Sequence, residues 1–317
     1  MNNKKILILG GTGALGKTLI KRYYDSNEII VFSRDEHKHY YLLKEFPKLK
    51  SFIGDIKDKQ SVMACIRTHN PEVIINAAAL KHVPICQANP FESVKTNVLG
   101  HQNVIDCVAE VGNIESLIFV STDKACRPIN VYGMCKALAE ELYINYANNQ
   151  TTTKVVLVRY GNVLESTGSV IPLFKGMLNA GAVTLPLTHK EMTRFLLTLE
   201  QATNLIEDAY NSPVSHGKIA IPKVSSLKIL DVANVLVSVY ATDRKVDIVE
   251  VGIRPGEKLH EEMISEEEWL RSEEYDTHFL IGQKMVTSEL RSYNSFDSLL
   301  DPSTTYDFLK MSGVFNV

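Results

Sequence analysis

The chain has 317 residues, 45% of them hydrophobic, and a formal net charge of −3, which suits about two domains or one large one. Cations and anions are mixed throughout, so neither a basic stripe for nucleic acid nor a basic amphipathic helix for a membrane surface is present. The expected partners are small molecules or further copies of the chain. Cys65, Cys86, Cys107, Cys126 and Cys135 show neither Cys-x-x-Cys nor His/Cys ligand spacing, which points to reduced thiols and to no metal or disulfide framework. The apolar run after Lys4 and Lys5 is too brief for a signal peptide or a membrane span. A cytoplasmic, unprocessed chain is expected.

Residues 5–9 read as a buried strand that runs into a glycine-rich turn and then a helix with Leu15, Leu19 and Ile20 facing inward. Gly10, Gly13 and Gly16 are spaced Gly-x-x-Gly-x-x-Gly in this strand-turn-helix context. Gly10 permits the tight turn, Gly13 the approach of backbone to a pyrophosphate, and Gly16 the packing of helix on strand. With Thr12, Ala14 and Leu15 they form a candidate phosphate cradle. A second strand over 28–32 ends in Ser33 and Arg34, where a ribose-binding acid would stand for NAD. A hydroxyl and a guanidinium suit a 2′-phosphate instead, so NADP is favoured, with Lys38 as a third contact; Asp35 and Glu36 keep NAD open. The next strand ends near Asp55 and Ile56, and a fourth spans 73–76. Ala77, Ala78 and Ala79 then supply small side chains where backbone must run close to a cofactor. Lys81 is a candidate substrate contact, although a lone loop lysine is more often simply solvated. Asn97 reads as the start of a helix, either as a local hydrogen bonder or as catalytic support.

A further apolar strand over 116–121 would bring Thr122, Asp123 and Lys124 out at its carboxyl end, which is where open α/β sheets place ligands. Pro128 and Asn130 precede a helix over 131–142, and Tyr132 and Lys136 share one of its faces. A lysine ammonium beside a phenol favours the phenolate, which would make Tyr132 a base. A Tyr-x-x-x-Lys pair is common on exposed helices; the strand upstream and the glycine loop give this one its meaning. A sixth strand over 155–158 ends in Arg159, Tyr160, Gly161, Asn162 and Val163. The alternation predicts a doubly wound parallel α/β sheet, with residues 1–163 as a nucleotide-binding domain to which 195–225 return.

Beyond it come a loop with Ser166, Thr167, Gly168, Ser169 and Pro172, a short helix over 174–178, and the run Met192, Thr193, Arg194, Phe195. Residues 195–210 and 227–236 read as helices and 246–251 as a strand. Arg254 stands in a turn that should open another helix. Residues 164–194 and 226–317 would form a smaller α/β substrate-binding domain. Arg194 and Arg254 are candidates to clamp a diphosphate by forked, charge-assisted bonds. The tail after Ser265 is left without a role.

The glycine loop, the strand ending in Ser121 and Thr122, and the Tyr132/Lys136 pair resemble the extended short-chain dehydrogenase/reductase family. The resemblance narrows through the motifs at 79–84, 121–124, 159–163, 192–195 and 254–261. Together they look like the inverting UDP-N-acetylglucosamine 4,6-dehydratases of bacterial surface-sugar pathways, in a short soluble form. Cys126 and Arg127 depart from that pattern. The resemblance implies a Rossmann-type fold, NADP, a UDP-sugar substrate and a homo-oligomer. Asp55 and Ile56 would hold the adenine, and Lys81, Asn162, Met192, Thr193, Arg194, Arg254 and Glu257 the substrate. Tyr132, hydrogen-bonded through Thr122, would take the 4-hydroxyl proton as hydride leaves carbon 4. A neutral Lys124 would remove the proton on carbon 5, and a protonated Asp123 would release the 6-hydroxyl as water. Lys124 in place of a glutamate implies inversion at carbon 5. Two other readings stand beside it: a nucleotide-sugar 4-epimerase or ketoreductase, and a non-catalytic NADP-binding module.

Overall fold

The computed structural model describes all residues except Glu165, Thr167, Asn316 and Val317; Thr167 of the expected loop therefore lies outside the described residues. Six parallel strands come first: β1 Lys5–Leu9, β2 Glu28–Ser33, β3 Lys50–Ile53, β4 Val73–Asn76, β5 Ser116–Val120 and β6 Lys154–Val158. Across the sheet they run β3-β2-β1-β4-β5-β6. Strand order reverses between β1 and β4, and the crevice above that point is where this topology receives a ligand. Three later strands complete a nine-stranded sheet. Ile219–Pro222 is parallel to β6, His278–Ile281 is antiparallel to it, and Ser272–Glu274 forms the edge.

Side-chain alternation along each strand divides the apolar residues between two faces. Leu7, Leu9, Ile74, Leu117 and Phe119 meet helical residues such as Val104, Val108 and Tyr143. Ile6, Ile8, Ile75, Ile118 and Val156 meet Leu19, Ile20, Leu205 and Ile206. Strands covered on both faces carry near-continuous apolar runs, which is why they could be read directly. A third apolar cluster lies between helix Val170–Asn179 and helix Ile229–Tyr240 and includes Phe174, Leu178, Leu185, Leu187, Val232, Leu236 and Leu309.

Several expectations are corrected. Phe195 belongs to strand Thr193–Leu197, and the helix after it starts only at Leu199, where Thr198 and Gln201 form a reciprocal capping box. Leu227 lies in strand Ser226–Lys228. The turn at Arg254 does not open directly into a helix, the next one being Glu266–Trp269. The chain instead makes the short strand Glu262–Ile264, because Met263 and Ile264 are wholly buried against the main core. Asn97 does not begin a helix; it sits within the π-helical turn Lys95–Leu99 joining two helices. Residues 272–281, expected with the substrate region, extend the main sheet, because Phe279, Leu280 and Ile281 complete its apolar faces.

Candidate active site

The loop after β1 is built for close approach. Gly10 has φ +79°, and a Cβ there would come within 2.9 Å of the Ala78 backbone. At Gly16 a Cβ would sit 2.3 Å from the Gly11 carbonyl oxygen. Gly13 caps helix Ala14–Tyr23 without a side-chain acceptor, so no capping side chain competes for the first-turn N–H groups, as an anion site requires. The buried Asn76 carboxamide holds the facing strand end: its Nδ2 donates to His101 Nδ1 and to the Tyr143 hydroxyl, each at 2.9 Å, and its Oδ1 accepts from Ala78 N at 3.3 Å. At the end of β2, Ser33 Oγ lies 3.0 Å from Thr12 Oγ1 and 2.8 Å from His39 Nε2. Arg34 is exposed, 3.8 Å from Asp55. Asp35 caps the next helix, accepting from Lys38 N, and its carboxylate also pairs with the Lys38 ammonium at 3.1 Å. Ile56 is buried beneath this corner.

The carboxyl end of β5 carries the titratable cluster. Thr122 opens a single 3₁₀ turn, Asp123–Ala125, and its hydroxyl donates to Asp123 Oδ1 at 2.9 Å. Lys124 Nζ lies 3.0 Å from the same oxygen and 3.3 Å from Glu261 Oε1, and Arg194 Nε lies 3.8 Å from that Glu261 oxygen. Both carboxyls are buried, Asp123 at 0% and Glu261 at 2% exposure. Burial and the charge of Glu261 push Asp123 above the ordinary carboxylate range, against the pull of Lys124. Burial alone would lower Lys124, but Asp123 and Glu261 outweigh it and hold the ammonium above an ordinary lysine. Burial would also raise Glu261, yet Lys124, Arg194 and Lys258 bring it below its ordinary value.

Helix Val131–Asn148 brings Tyr132 and Lys136 to this cluster. Asn130 caps it through Gly133 N at 2.8 Å and donates to the Gly256 carbonyl at 2.8 Å, which ties the helix start to the Arg254 loop. Gly133 is required: a Cβ there would stand 2.2 Å from the Lys124 carbonyl oxygen. Lys136 is buried, donates to the Val120 carbonyl at 2.5 Å and lies over the Phe119 ring at 4.0 Å. Burial pushes its ammonium down to about 7. Burial pushes the Tyr132 phenol up to about 12, opposed by the Lys124 charge and by the Thr122 hydroxyl.

Residues 6–283 match the profile of the polysaccharide biosynthesis protein family. The chain belongs to that family. It is 42% identical over 289 residues, covering 89% of this chain and 83% of the relative, to a protein of Campylobacter jejuni subsp. jejuni named UDP-N-acetylglucosamine 4,6-dehydratase (inverting). A Rickettsia massiliae protein named UDP-glucose 4-epimerase is 37% identical, covering 93% of this chain and 92% of the relative. Among solved structures, Pen from Bacillus thuringiensis superposes with a TM-score of 0.91 at 30% identity, covering 99% of both chains. A UDP-glucose 4-epimerase of Thermotoga maritima, at 19% identity and a TM-score of 0.69 over 80% of this chain and 87% of that one, shares the fold.

In this family member the sequence-derived site is partly rearranged. Thr122, Asp123, Lys124 and Tyr132 do come together, but the cation that bears on the phenol is Lys124; the Lys136 ammonium is directed at the Val120 carbonyl. Lys124 is cationic between two carboxyls, not neutral. Arg194 does not stand free to clamp a ligand. It is buried, and its guanidinium donates to the carbonyls of Thr193, Leu259 and Lys258 at 2.7, 3.2 and 2.9 Å, stapling the segment that carries Arg254. Arg254 is exposed and 3.7 Å from Glu257. Met192 is buried in the third apolar cluster, and the buried Thr193 hydroxyl contacts His260 and Ser295. Asn162 is half-buried beside Leu196. Lys81 is exposed in the loop after β4, whose Leu80 is gripped by Asn97 through both backbone N and O at 2.8 Å.

Two acids were missed. Glu261 closes the motif at 254–261, in which no role is assigned to it. Glu268, in the unassigned tail, reaches Arg159 at 2.8 and 3.0 Å; Arg159, 1% exposed, also grips Glu140 of helix Val131–Asn148 at 2.6 and 3.0 Å and donates to the Met263 carbonyl. The only available signal was the buried position of Arg159 at a strand end, which demands carboxylate partners.

Proposed function

We propose that the chain is a UDP-N-acetylglucosamine 4,6-dehydratase that inverts carbon 5 and uses NADP. The observation that carries this reading is the Asp123/Lys124 pair, buried at the end of β5 and beside Tyr132, in a chain 42% identical to a relative of that name. Gly10, Gly13 and the uncapped helix start after them fit a pyrophosphate. A nicotinamide cofactor held there would supply the hydride acceptor for carbon 4 and the hydride donor for carbon 6.

The protein's own groups manage the protons. Tyr132 takes the 4-hydroxyl proton; burial raises its phenol, and the Lys124 charge and the Thr122 hydroxyl oppose that rise and draw it toward the phenolate the step needs. The resulting 4-ketone acidifies the hydrogen on carbon 5. Lys124 must first shed a proton, and Asp123 Oδ1 is 3.0 Å away. One transfer across that contact produces the amine that removes the carbon 5 hydrogen and the carboxylic acid that releases the 6-hydroxyl as water. Counted from the resting state, Tyr132 ends with one proton more, Lys124 with one fewer and Asp123 unchanged; Thr122, hydrogen-bonded to Asp123 and bearing on the phenol, and the Asp123–Lys124 contact connect the two groups that must exchange it. The flexible Lys124 stem suits return of a proton to the opposite face of carbon 5.

NADP is favoured because Asp35, the acid that would take a ribose hydroxyl, is engaged as a helix cap and by Lys38, while Ser33 and the exposed Arg34 stand at the strand end. Residues 1–163 and 195–225 would hold the cofactor, joined by 272–281, and the remainder the sugar. Exposed Ile85, Phe91, Ile129, Met134 and Leu138 around the helices support self-association. Among the described residues no helix is long and apolar enough to cross a membrane, and five unpaired buried cysteines suit a reducing cytoplasm.

Incubation with UDP-N-acetylglucosamine should give a product lighter by one water in mass spectrometry. The second reading, a UDP-sugar 4-epimerase, is kept by the 37% identical relatives of that name. It predicts an isomer of unchanged mass.

A further inference from the structure

The dehydration needs one carboxyl as an acid, yet two buried carboxyls face Lys124. Asp123 is the one bonded by Thr122, and it loses its charge when it takes the Lys124 proton. From that moment it cannot act as counter-ion to the lysine. Glu261 can. Its Oε1 lies 3.3 Å from Lys124 Nζ and 3.8 Å from Arg194 Nε, its backbone N–H donates to Ser295 Oγ at 2.9 Å, and it is 2% exposed. Arg194, held by three carbonyls, keeps a fixed positive charge beside it. Two carboxyls whose surroundings drive them in opposite directions, Asp123 toward the acid and Glu261 toward the anion, divide the roles of proton donor and standing charge between them.

We propose that Glu261 is a positioning residue that stays ionised through the cycle, fixes Lys124 Nζ beneath carbon 5 and stabilises the ammonium that forms as the carbon 5 proton is taken. The step balances: the C5–H bond breaks, its electrons enter the enolate, an N–H bond forms on Lys124, and the new positive charge lies against Glu261 while Asp123 holds the proton destined for water. This inference rests on the dehydratase reading.

The groups facing the cluster are Asp123 and Lys124 from the turn after β5, Tyr132 from helix Val131–Asn148, Arg194 from strand Thr193–Leu197, and Lys258 and Glu261 from the segment after Arg254. Glu261→Gln removes one anion from this set. Losing an anion makes both Lys124 and Asp123 give up protons more readily. The rate requires Lys124 deprotonated and Asp123 protonated, so both limbs of its pH profile should move to lower pH, by about 1 unit or more. At the optimum, exchange of the carbon 5 hydrogen with solvent deuterium should fall about 100-fold, while the single-turnover absorbance of reduced cofactor, which reports oxidation at carbon 4, stays near wild type. Glu261→Asp, with its charge kept but set back, should move the limbs less in the same direction; it carries the test alone if the Gln variant does not fold. Limbs that stay in place while the plateau drops, or carbon 4 oxidation lost in parallel with exchange, overturn the proposal and leave Glu261 a structural acid. Wild-type water loss is measured alongside: its absence sinks the dehydratase reading and this inference with it, whereas its presence with unmoved limbs sinks the inference alone.

Discussion

Glu268→Gln is the sharpest structural perturbation, because it removes one charge from the buried Arg159 network without changing its shape. Burial would raise the Glu268 carboxyl, but Arg159 and the Ser265 N–H outweigh it and bring it from 4.5 to about 2. At about 1.4 kcal/mol per pKa unit, that preference for the charged form corresponds to about 3 kcal/mol of folding stability. The group is 12% exposed, so solvent screening is slight, and the figure agrees with the cost of about 3–5 kcal/mol for breaking a buried ion pair. The folded pKa lies below the unfolded one, so the contribution is complete above pH 4.5 and is lost as pH falls through 2. Urea unfolding of wild type and variant should therefore differ by about 3 kcal/mol at pH 7, and the difference should narrow steadily once pH drops below 4.5. A difference under about 1 kcal/mol at pH 7, or one that does not change on acidification, would refute the role given to this tail residue.

Tyr132→Phe should abolish product while the cofactor still binds, as read by cofactor fluorescence; turnover near wild type would remove Tyr132 from the mechanism. Gly133→Ala places a Cβ 2.2 Å from the Lys124 carbonyl oxygen. It should cost about 1–3 kcal/mol in thermal or urea unfolding, with activity reduced at least in proportion because the Lys124 turn must move; a variant of wild-type activity would mean that the turn is not held as described. Arg34→Ala should weaken NADP binding about tenfold or more, by the loss of a charge-assisted contact, and leave NAD binding nearly unchanged; equal losses for both cofactors would remove Arg34 from the 2′-phosphate.

The parallel sheet was legible because β1, β4, β5 and β6 are buried on both faces and carry unbroken apolar runs, and the glycine loop because its turn can be built from few residue types. Thr122, Asp123, Lys124 and Tyr132 followed, since a strand end and the next helix start are brought together by topology alone. Glu261 and Glu268 lie more than a hundred residues from the groups they serve, and no local period marks them. Arg194 was legible as an arginine of the sugar region but neither in its burial nor in its partners, which are carbonyls that any sequence supplies. The charge of Lys124 could not be read at all, because it depends on how many carboxyls converge on one ammonium. Residues 195–197 misled through composition: Phe195, Leu196 and Leu197 suit a helix and a buried strand equally, and the capping box at Thr198 decides between them.

The central claim is that Asp123 and Lys124 remove water from a UDP-sugar and that the proton returns to the opposite face of carbon 5. One measurement reaches it most directly: the reaction of UDP-N-acetylglucosamine in deuterated water, followed by mass spectrometry and proton NMR. The account predicts loss of one water, deuterium at carbon 5 and the coupling constants of the L-arabino 4-ketone. Retained configuration at carbon 5 would contradict the role given to Lys124, and an isomer of unchanged mass would contradict dehydration altogether.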